Sequence, residues 1–303
     1  MLTQLRLSKS GGSQIKYIKS FIQNHTLMQT IQEKMMQTSE TTTVGAPVEV
    51  PINKPSRTLL IDGDITLYQI ASKVEVATDW GEGMWTLHSD LKQGIPAFDT
   101  QIEKYIEDLQ ADSVKICLTG RANFRKDIFP EYKLNRVAKR KPLILQVLRE
   151  YVEEKYDCLC ENALEADDIM GLYSQQCTNT DERIIVSIDK DMRTIPCKLS
   201  VDGEEIINIS SQEANYNFAL QCLTGDSTDN FSGCPGVGPA KARQILESAD
   251  NFYWPAIVKA YEKVDLTEDD AIQQARMAYI LRLPKDYNFE TKEVRRWTPY
   301  KIK

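Results

Sequence analysis

Four short stretches of the chain are rich in carboxylate side chains. They read IDGD at 61–64, EADD at 165–168, DKD at 189–191 and GDSTDN at 225–230. Hard divalent cations take oxygen ligands, and Mg²⁺ usually binds a few carboxylates together with water and substrate phosphate. The recurrence of such clusters therefore predicts a two-metal site for phosphoryl transfer. The candidate metal ligands are Asp62, Glu165, Asp167, Asp168, Asp189, Asp191, Asp226 and Asp229.

Each cluster also has a plainer structural interpretation. Glu165 and Asp168 are three residues apart at the start of a predicted helix. Acidic side chains there can cap the helix, and the positive end of the helix dipole stabilises their charge. Three acids within four residues also repel one another, and a bound cation would remove that repulsion. In DKD, Asp189 and Asp191 point the same way if the strand continues. Asp64 has two equal interpretations, a metal ligand or an acceptor for loop backbone.

The elements that must position these acids alternate along the chain. Apolar, β-branched runs at 58–61, 114–118 and 183–188 indicate strands, and helical patterns lie between them. This order predicts an α/β fold with a mostly parallel central sheet flanked by helices. Such sheets bind ligands at the carboxyl ends of their strands. Asp62 and Asp189 each follow a predicted strand, so both are expected at one edge. The predicted helices are Phe98–Gln110, Lys141–Lys155 and Ala163–Cys177.

The stretch GCPGVGPAKARQIL at 233–246 predicts a phosphate-binding loop. Glycines leave backbone amides uncovered, and a proline is favoured at the first position of a helix. The amides at the start of that helix would point at a bound anion. The predicted contacts to a nucleic-acid backbone are Gly233, Gly236, Gly238 and Lys241. A simple turn between two helices is the alternative.

Charge is unevenly distributed in this acidic chain. It carries 44 acidic and 37 basic side chains, yet residues 121–141 hold eight bases and only two acids. Aromatic residues alternate with these bases, which is typical of a surface that holds unpaired strands. A solvated charged loop is the alternative. The predicted nucleic-acid contacts are Phe124, Arg125, Tyr132, Lys133, Arg136, Lys139 and Arg140, of which Lys133, Arg136, Lys139 and Arg140 are the predicted phosphate contacts.

Composition excludes several other classes of protein. Seven cysteines form no CxxC pair and are expected to be reduced, buried thiols of a cytoplasmic protein. The sequence has only two histidines, which argues against a zinc site and against a histidine general base. No apolar run reaches the length of a membrane span, and no EF-hand loop is present.

Three regions are expected along the chain. Residues 1–56 are a basic extension and linker, disordered or partly helical, with a transit peptide as a weaker alternative. Residues 57–200 form the α/β core, and residues 201–303 form a helical region that binds DNA.

In this order the motifs resemble the 5′-nuclease (flap endonuclease) superfamily, most closely the small 5′→3′ exonucleases of short-tailed bacteriophages. The resemblance runs from Arg57 to Trp297 and includes NFRKDIFPEYKLNR, SIDKDMRTIP and RMAYILR. It implies a PIN-like or resolvase-like nuclease core with a helix-hairpin-helix subdomain at about 222–247. It also implies two Mg²⁺ or Mn²⁺ ions at the acids named above, and K⁺ as a candidate ion at the hairpin. Lys133 and Arg136 correspond to the phosphate-engaging arch residues of the family.

The resemblance implies a nuclease for single-stranded 5′ ends, flaps and duplex ends of DNA. RNA–DNA hybrids are a further candidate substrate, and a monomer in the bacterial host cytoplasm is expected. Two positions depart from the family pattern. Gly120 stands where relatives have an aspartate, and Gln221 stands where some have a lysine. The alternatives are therefore a structure-specific DNA-binding protein that has lost hydrolysis, and a related ribonuclease.

Overall fold

The computed structural model describes residues 55–299, so nearly all of the predicted extension at 1–56 lies outside the described residues. The ten strands of this part are β1 (Ser56–Asp62), β2 (Glu75–Asp79), β3 (Trp85–Ser89), β4 (Ser113–Thr119), β5 (Cys158–Glu161), β6 (Asp181–Val186), β7 (Lys198–Ser200), β8 (Ile207–Asn208), β9 (Tyr287–Asn288) and β10 (Glu293–Val294). Its eight α-helices are α1 (Gly63–Lys73), α2 (Leu91–Asp108), α3 (Leu145–Lys155), α4 (Ala166–Ser174), α5 (Ser211–Thr224), α6 (Pro239–Glu247), α7 (Tyr253–Glu262) and α8 (Glu268–Ala278).

Six strands form the central sheet in the order β5-β4-β1-β6-β7-β8. All neighbours are parallel except β7 and β8, which run antiparallel. The predicted fold class, a mostly parallel sheet flanked by helices, is confirmed. Because β1 and β6 are direct neighbours, the residues that follow them emerge at the same edge of the sheet.

Alternate residues of the central strands pack into two separate cores. Leu59 and Ile61 of β1 face a core built with α1, α2 and α3. Leu60 faces the opposite core, which includes α4 and the C-terminal helices. All three side chains are fully buried, as the apolar runs predicted for a sheet covered on both faces. The sheet edge between the two cores is therefore held rigidly from both sides.

The structure differs from the sequence-based elements in bounds and in several added strands. Helix α2 begins at Leu91, seven residues before the prediction, because the Asp90 carboxylate accepts a hydrogen bond from the Lys92 amide and caps the helix. Helix α3 begins only after Pro142, and α4 is shorter than predicted at both ends. The hairpin of β2 and β3 and the strand β5 were not predicted. The sheet continues to Asn208, beyond the expected domain boundary at 200.

The cysteines only partly follow their prediction. All seven are unpaired, but Cys160 and Cys177 are exposed rather than buried. Within residues 55–299, no helix combines the length and the apolar character needed to cross a bilayer.

Helix α4 packs unusually closely against the C-terminal part of the chain at Gly171. A Cβ atom at this position would lie 2.2 Å from the carbonyl oxygen of Leu281. We expect Gly171→Ala to destabilise the protein by about 1–3 kcal/mol, because the backbone at residue 281 cannot move aside without disturbing the core. Helix propensity alone favours alanine over glycine by up to about 1 kcal/mol. Urea unfolding measures the sign, and a more stable variant would contradict this packing.

Candidate active site

Asp62 lies at the carboxyl end of β1, where it is the N-cap of α1. Its carboxylate accepts hydrogen bonds from the Ile65 amide at 3.1 Å and the Ser187 hydroxyl at 2.7 Å. The side chain is 2% exposed. Burial is the main cause that raises the pKa of Asp62 to about 6, and the nearby carboxylates of Asp64 and Asp189 contribute to the same shift. The β1 and β6 ends thus bring acids together as the sequence predicted.

The start of α4 brings Glu165 and Asp167 to the same edge. Glu165 is the N-cap of the helix. Burial raises the pKa of Asp167 well above its usual value, and the charges of Asp62 and Asp189 add to the shift. In the part of the chain that the structure describes, no hydrogen bond or ion pair satisfies the Asp167 carboxylate. An acid in this state needs a cation or a proton.

Asp189 and Asp191 follow β6 in a short 3₁₀ turn, Lys190–Thr194. The Asp189 carboxylate accepts a hydrogen bond from the Asp191 amide at 2.8 Å. Burial raises the pKa of Asp191 to about 7, with Asp189 as the next cause. Gln221 of α5 donates its side-chain amide to Asp191. The glutamine is therefore part of this site, although it carries no charge to offset that of the acids.

Asp226 and Asp229 lie in the loop after α5. Asp226 accepts a hydrogen bond from the Thr228 amide at 2.7 Å, and its other oxygen lies 2.9 Å from the Lys190 ammonium. Asp229 accepts a hydrogen bond from the Tyr132 hydroxyl at 3.0 Å and pairs with Arg136. Lys190 was not among the predicted site residues, although its place inside the DKD cluster was a signal for it.

The basic segment, residues 121–141, closes over the acids. The Lys133 amide donates to the Asp229 carbonyl at 2.9 Å, and Lys133 adopts a left-handed conformation with φ 55°. Its ammonium pairs with Glu165 and lies 3.4 Å from the Asp229 carboxylate. Burial alone would raise the pKa of Glu165, but the charges of Lys133 and Arg125 hold it at about 2. Lys133 and Arg136 are thus positioned above the carboxylates.

Three residues predicted to contact DNA are buried instead. Phe124, Arg125 and Tyr132 are 9%, 2% and 2% exposed. The Arg125 guanidinium lies 4.6 Å from the centre of the Phe124 ring, and the Tyr132 hydroxyl donates to Glu165 at 3.0 Å. The DNA-binding predictions for these three residues are wrong, because their alternation of aromatic and basic side chains builds the floor of the site rather than its surface.

Arg125 also corrects the prediction for Asp168. Its Nη1 and Nη2 donate to the two oxygens of Asp168 at 2.7 and 2.8 Å, and Asp168 is fully buried. The same carboxylate accepts hydrogen bonds from the amides of Glu165 and Leu281. With its oxygens engaged in this way, Asp168 is a structural counter-ion and helix cap rather than a metal ligand. Arg125 additionally donates to the carbonyls of Met277 and Tyr279.

The remaining acids fit a divalent cation by their chemistry, though not yet by their geometry. Within residues 55–299, no three Asp, Glu, His or Cys side chains already have the spacing of a metal-ligand set. Glu165, Asp167, Asp191 and Asp229 line a cavity of about 10 Å³, which is room for about one water molecule. These carboxylates are hard oxygen donors that repel one another, and a bound cation would reduce that repulsion. The metal ligands stay a prediction, and binding requires the basic side chains to shift.

The glycine loop only partly matches its prediction. Gly236 has φ +70° and open space around it, and Gly238 is exposed at the start of α6. Gly233 is buried, and its amide donates to Gln274 at 2.9 Å. The phosphate-contact prediction for Gly233 is therefore wrong, because its role is to let the chain pass close to Thr224 and Gly225. Gly236, Gly238 and Lys241 stay predictions.

The position of Gly120 leaves no room for a carboxylate side chain. A Cβ atom there would lie 2.1 Å from the carbonyl oxygen of Glu161 and 2.4 Å from that of Asn162. The chain after β5 thus fills the space that an aspartate would need. Nearby, Asp64 accepts a hydrogen bond from the Thr119 amide at 3.0 Å and pairs with Arg149, which is the backbone-binding interpretation of that acid.

Comparison with known proteins identifies the family. Residues 57–215, more than half of the chain, match the family model for the N-terminal, resolvase-like domain of 5′-3′ exonucleases. This chain belongs to the 5′-3′ exonuclease family. The exodeoxyribonuclease of Enterobacteria phage T3 is 29% identical over 286 residues, covering 80% of this chain and 92% of the phage protein. The exonuclease of Escherichia phage T7 is 29% identical over 282 residues, or 80% and 93% of the two chains.

The fold of this exonuclease-family member also has solved counterparts. The flap endonuclease of bacteriophage T5, solved with DNA and metal ions, superposes with a TM-score of 0.57. The two chains are 15% identical, and the match covers 74% of this chain and 89% of the T5 protein. At this identity the likeness establishes the shared fold.

The buried Arg125 gives a direct test of how the floor of the site is held. We expect Arg125→Met to cost about 3–5 kcal/mol of unfolding free energy, because Glu165 and Asp168 lose their buried counter-charge. Arg125→Lys should recover only part of the loss, since one ammonium cannot replace a guanidinium that donates to five acceptor atoms on four residues. Urea unfolding measures both. A loss below about 1 kcal/mol for the methionine variant would mean that the network contributes little.

Asp191 gives a test of charge crowding. Its folded pKa of about 7 lies above the usual value of 3.8. The native state therefore holds this proton more tightly than the unfolded chain, and stability falls as pH rises from about 4 through about 7. In chelator, we expect Asp191→Asn to exceed the wild type in stability by about 2–4 kcal/mol above pH 8. Near pH 5, where only the part of this loss that begins at about pH 4 has occurred, the gap should be less than half as large. Urea unfolding at both pH values checks this, and a gap that does not change with pH would contradict it.

Proposed function

We propose that this protein is a metal-dependent 5′→3′ exonuclease and flap endonuclease that hydrolyses DNA phosphodiesters to 5′-phosphorylated products. The observation that carries the proposal is the crowding of Asp62, Asp167 and Asp191, all with raised pKa values, beneath Lys133 and Arg136. Acids held in this state are suited to bind divalent metal ions. The basic side chains of Lys133 and Arg136 beside them are suited to bind a phosphate. Membership of the 5′-3′ exonuclease family supports the same reaction.

Two divalent cations, Mg²⁺ or Mn²⁺, would supply an activated water and stabilise the leaving 3′ oxygen. Asp62, Glu165, Asp167 and Asp189 are the proposed ligands of one ion. Asp191, Asp226 and Asp229 are the proposed ligands of the other, directly or through water. No side chain of the chain needs to act as the nucleophile.

The basic residues would change partners during the reaction. Lys133 and Arg136 now pair with Glu165 and Asp229. If the acids bound metal, the side chains of Lys133 and Arg136 would be free to orient the scissile phosphate and to offset its developing negative charge. Lys190, which now pairs with Asp226, would be released in the same way.

The DNA path proposed for this site uses exposed groups on both sides of it. Lys139 and Arg140 would contact the single-stranded 5′ end, although Arg140 first has to leave its ion pair with Glu75. Gly236, Gly238 and Lys241 would hold the duplex backbone at the start of α6, with K⁺ as a candidate ion there. RNA–DNA hybrids are a further candidate substrate. A monomer acting in the bacterial host cytoplasm is the proposed setting.

One observation favours a second candidate, a DNA-binding protein without hydrolysis. The backbone of residues 161–162 closes the space next to Gly120, so one carboxylate of the family pattern cannot be present. The unpaired charge at Asp167 argues for the nuclease, because a binding protein gains nothing from a half-buried, unpaired acid held among other acids. The two functions differ in a single assay.

We expect the purified protein to shorten 5′-tailed and duplex DNA in Mg²⁺ and to stop in chelator. Asp189→Asn should lower the cleavage rate at least about a thousandfold while DNA affinity stays near that of the wild type, because the change removes a metal ligand but no DNA contact. Asp250→Asn is the matched control, since Asp250 is exposed and no ion pair in residues 55–299 uses it. End-labelled single-stranded, duplex and flapped DNA report the rates and fragment lengths.

The fragment pattern also separates the modes of action. Mononucleotides indicate exonuclease action, and longer fragments of fixed length indicate flap cutting. DNA binding without any metal-dependent cleavage by the wild type would favour the second candidate. Full cleavage by the Asp189 variant would remove that residue from the metal site.

A further inference from the structure

A second cavity lies at the other end of α5 from the acids. Its volume is about 360 Å³, which is within the range of small-molecule sites. Ser211 and Asn215, at the start of α5, line one side of it. Gln221, which contacts Asp191, stands six residues or more further along the helix, about 9 Å or more along its axis. The cavity is therefore separate from the carboxylate site.

This cavity is strongly cationic. Its lining includes Arg282, Arg295 and Arg296, and none of the three forms an ion pair with a carboxylate of residues 55–299. The one lining acid, Asp286, is buried, and it accepts hydrogen bonds from the Tyr279 hydroxyl and the amides of Arg282 and Leu283. Its charge is thus largely satisfied by neutral donors rather than by the arginines.

Arg282 forms the inner end of the cluster. It is 8% exposed, and its guanidinium donates to the Thr194 carbonyl and to the side chain of Asn215 at 2.6 Å. Both acceptors are neutral, and the guanidinium also lies over the rings of Phe218 and Tyr279, so no carboxylate of residues 55–299 forms an ion pair with it. An anion that approached it would find a charge not yet paired. Charge from Arg296 reaches beyond the cavity. Burial first, and then Arg296, lowers the pKa of Arg276.

Two further features narrow the chemistry of an occupant. Ser211 is the first residue of α5, so the positive end of a 14-residue helix faces the same space. Trp297 is partly exposed and supplies an aromatic wall beside the arginines, whereas Tyr279 also lines the cavity but is 4% exposed. A planar ring next to a group of arginines suits a nucleotide, because the base can stack while the arginines bind phosphate.

We infer that this cavity binds the phosphate of a nucleotide, with Arg295 and Arg296 as its outer contacts and Arg282 as its buried counter-charge. The choice of a nucleotide rests on the proposed function. The phosphate can come from two sources, a free mononucleotide released by cleavage or the backbone of a bound strand. Both present the same anion to the arginines.

The test compares two double variants in chelator, so that cleavage cannot occur. Arg295→Gln/Arg296→Gln removes two charges from the cavity, and both side chains are exposed. Lys73→Gln/Lys92→Gln removes two charges from exposed positions on α1 and α2 and is the matched control. The probes are dAMP, measured by calorimetry, and a short blunt DNA duplex, measured by fluorescence anisotropy over a range of salt.

We expect the arginine double variant to lose about tenfold in affinity for at least one probe, while the lysine double variant changes little. A loss for dAMP assigns the site to the free nucleotide. A loss for the duplex alone, with a salt slope reduced by about one to two, assigns it to the backbone. Unchanged affinity for both probes, or an equal loss in the lysine variant, would overturn the inference.

Two controls keep the result separate from folding and from the proposed function. Urea unfolding of the arginine variant checks that it is folded, and Arg296→Gln alone is the milder replacement if it is not. Metal-dependent cleavage of flapped DNA is then measured in the same proteins. If the wild type did not cleave flapped DNA, the proposed nuclease function would be contradicted. The binding result at the cavity would still stand.

Discussion

Repulsion among carboxylates at one edge of the sheet is the constraint on which this structure depends. The parallel pairing of β1 with β6 fixes Asp62 and Asp189 next to each other, and α4 adds Asp167. Burial makes this crowding costly, which is visible in the raised pKa values of Asp62, Asp167 and Asp191. Such a cluster costs stability, and a cation bound there would offset part of that cost.

The basic side chains around these acids divide into two groups by how deeply they are buried. Arg125 is enclosed and saturated, and it joins the start of α4 to the C-terminal stretch at 277–281. It therefore belongs to the scaffold. Lys133, Arg136 and Lys190 reach the acids from positions that remain partly open to solvent. Side chains of this second group can exchange a carboxylate for a phosphate without disturbing either core.

The sequence was sufficient for the sheet edge and insufficient for the floor of the site. Asp62 and Asp189 could be placed together because parallel strands present their carboxyl ends at one edge whatever the rest of the chain does. Burial of Arg125 depends on residues more than 150 positions away, so no local pattern distinguishes it from an exposed DNA contact. Asp168 was misassigned for the same reason. The closed space at Gly120 likewise depends on the path of the chain after β5.

The central claim is that acids distant in sequence trap a pair of divalent cations. Anomalous scattering from crystals of the protein grown with Mn²⁺ tests it most directly. The account predicts two manganese peaks at the carboxyl edge of the sheet, with Lys133 and Arg136 withdrawn from Glu165 and Asp229. No peak at that edge under saturating Mn²⁺, with both ion pairs still in place, would contradict it.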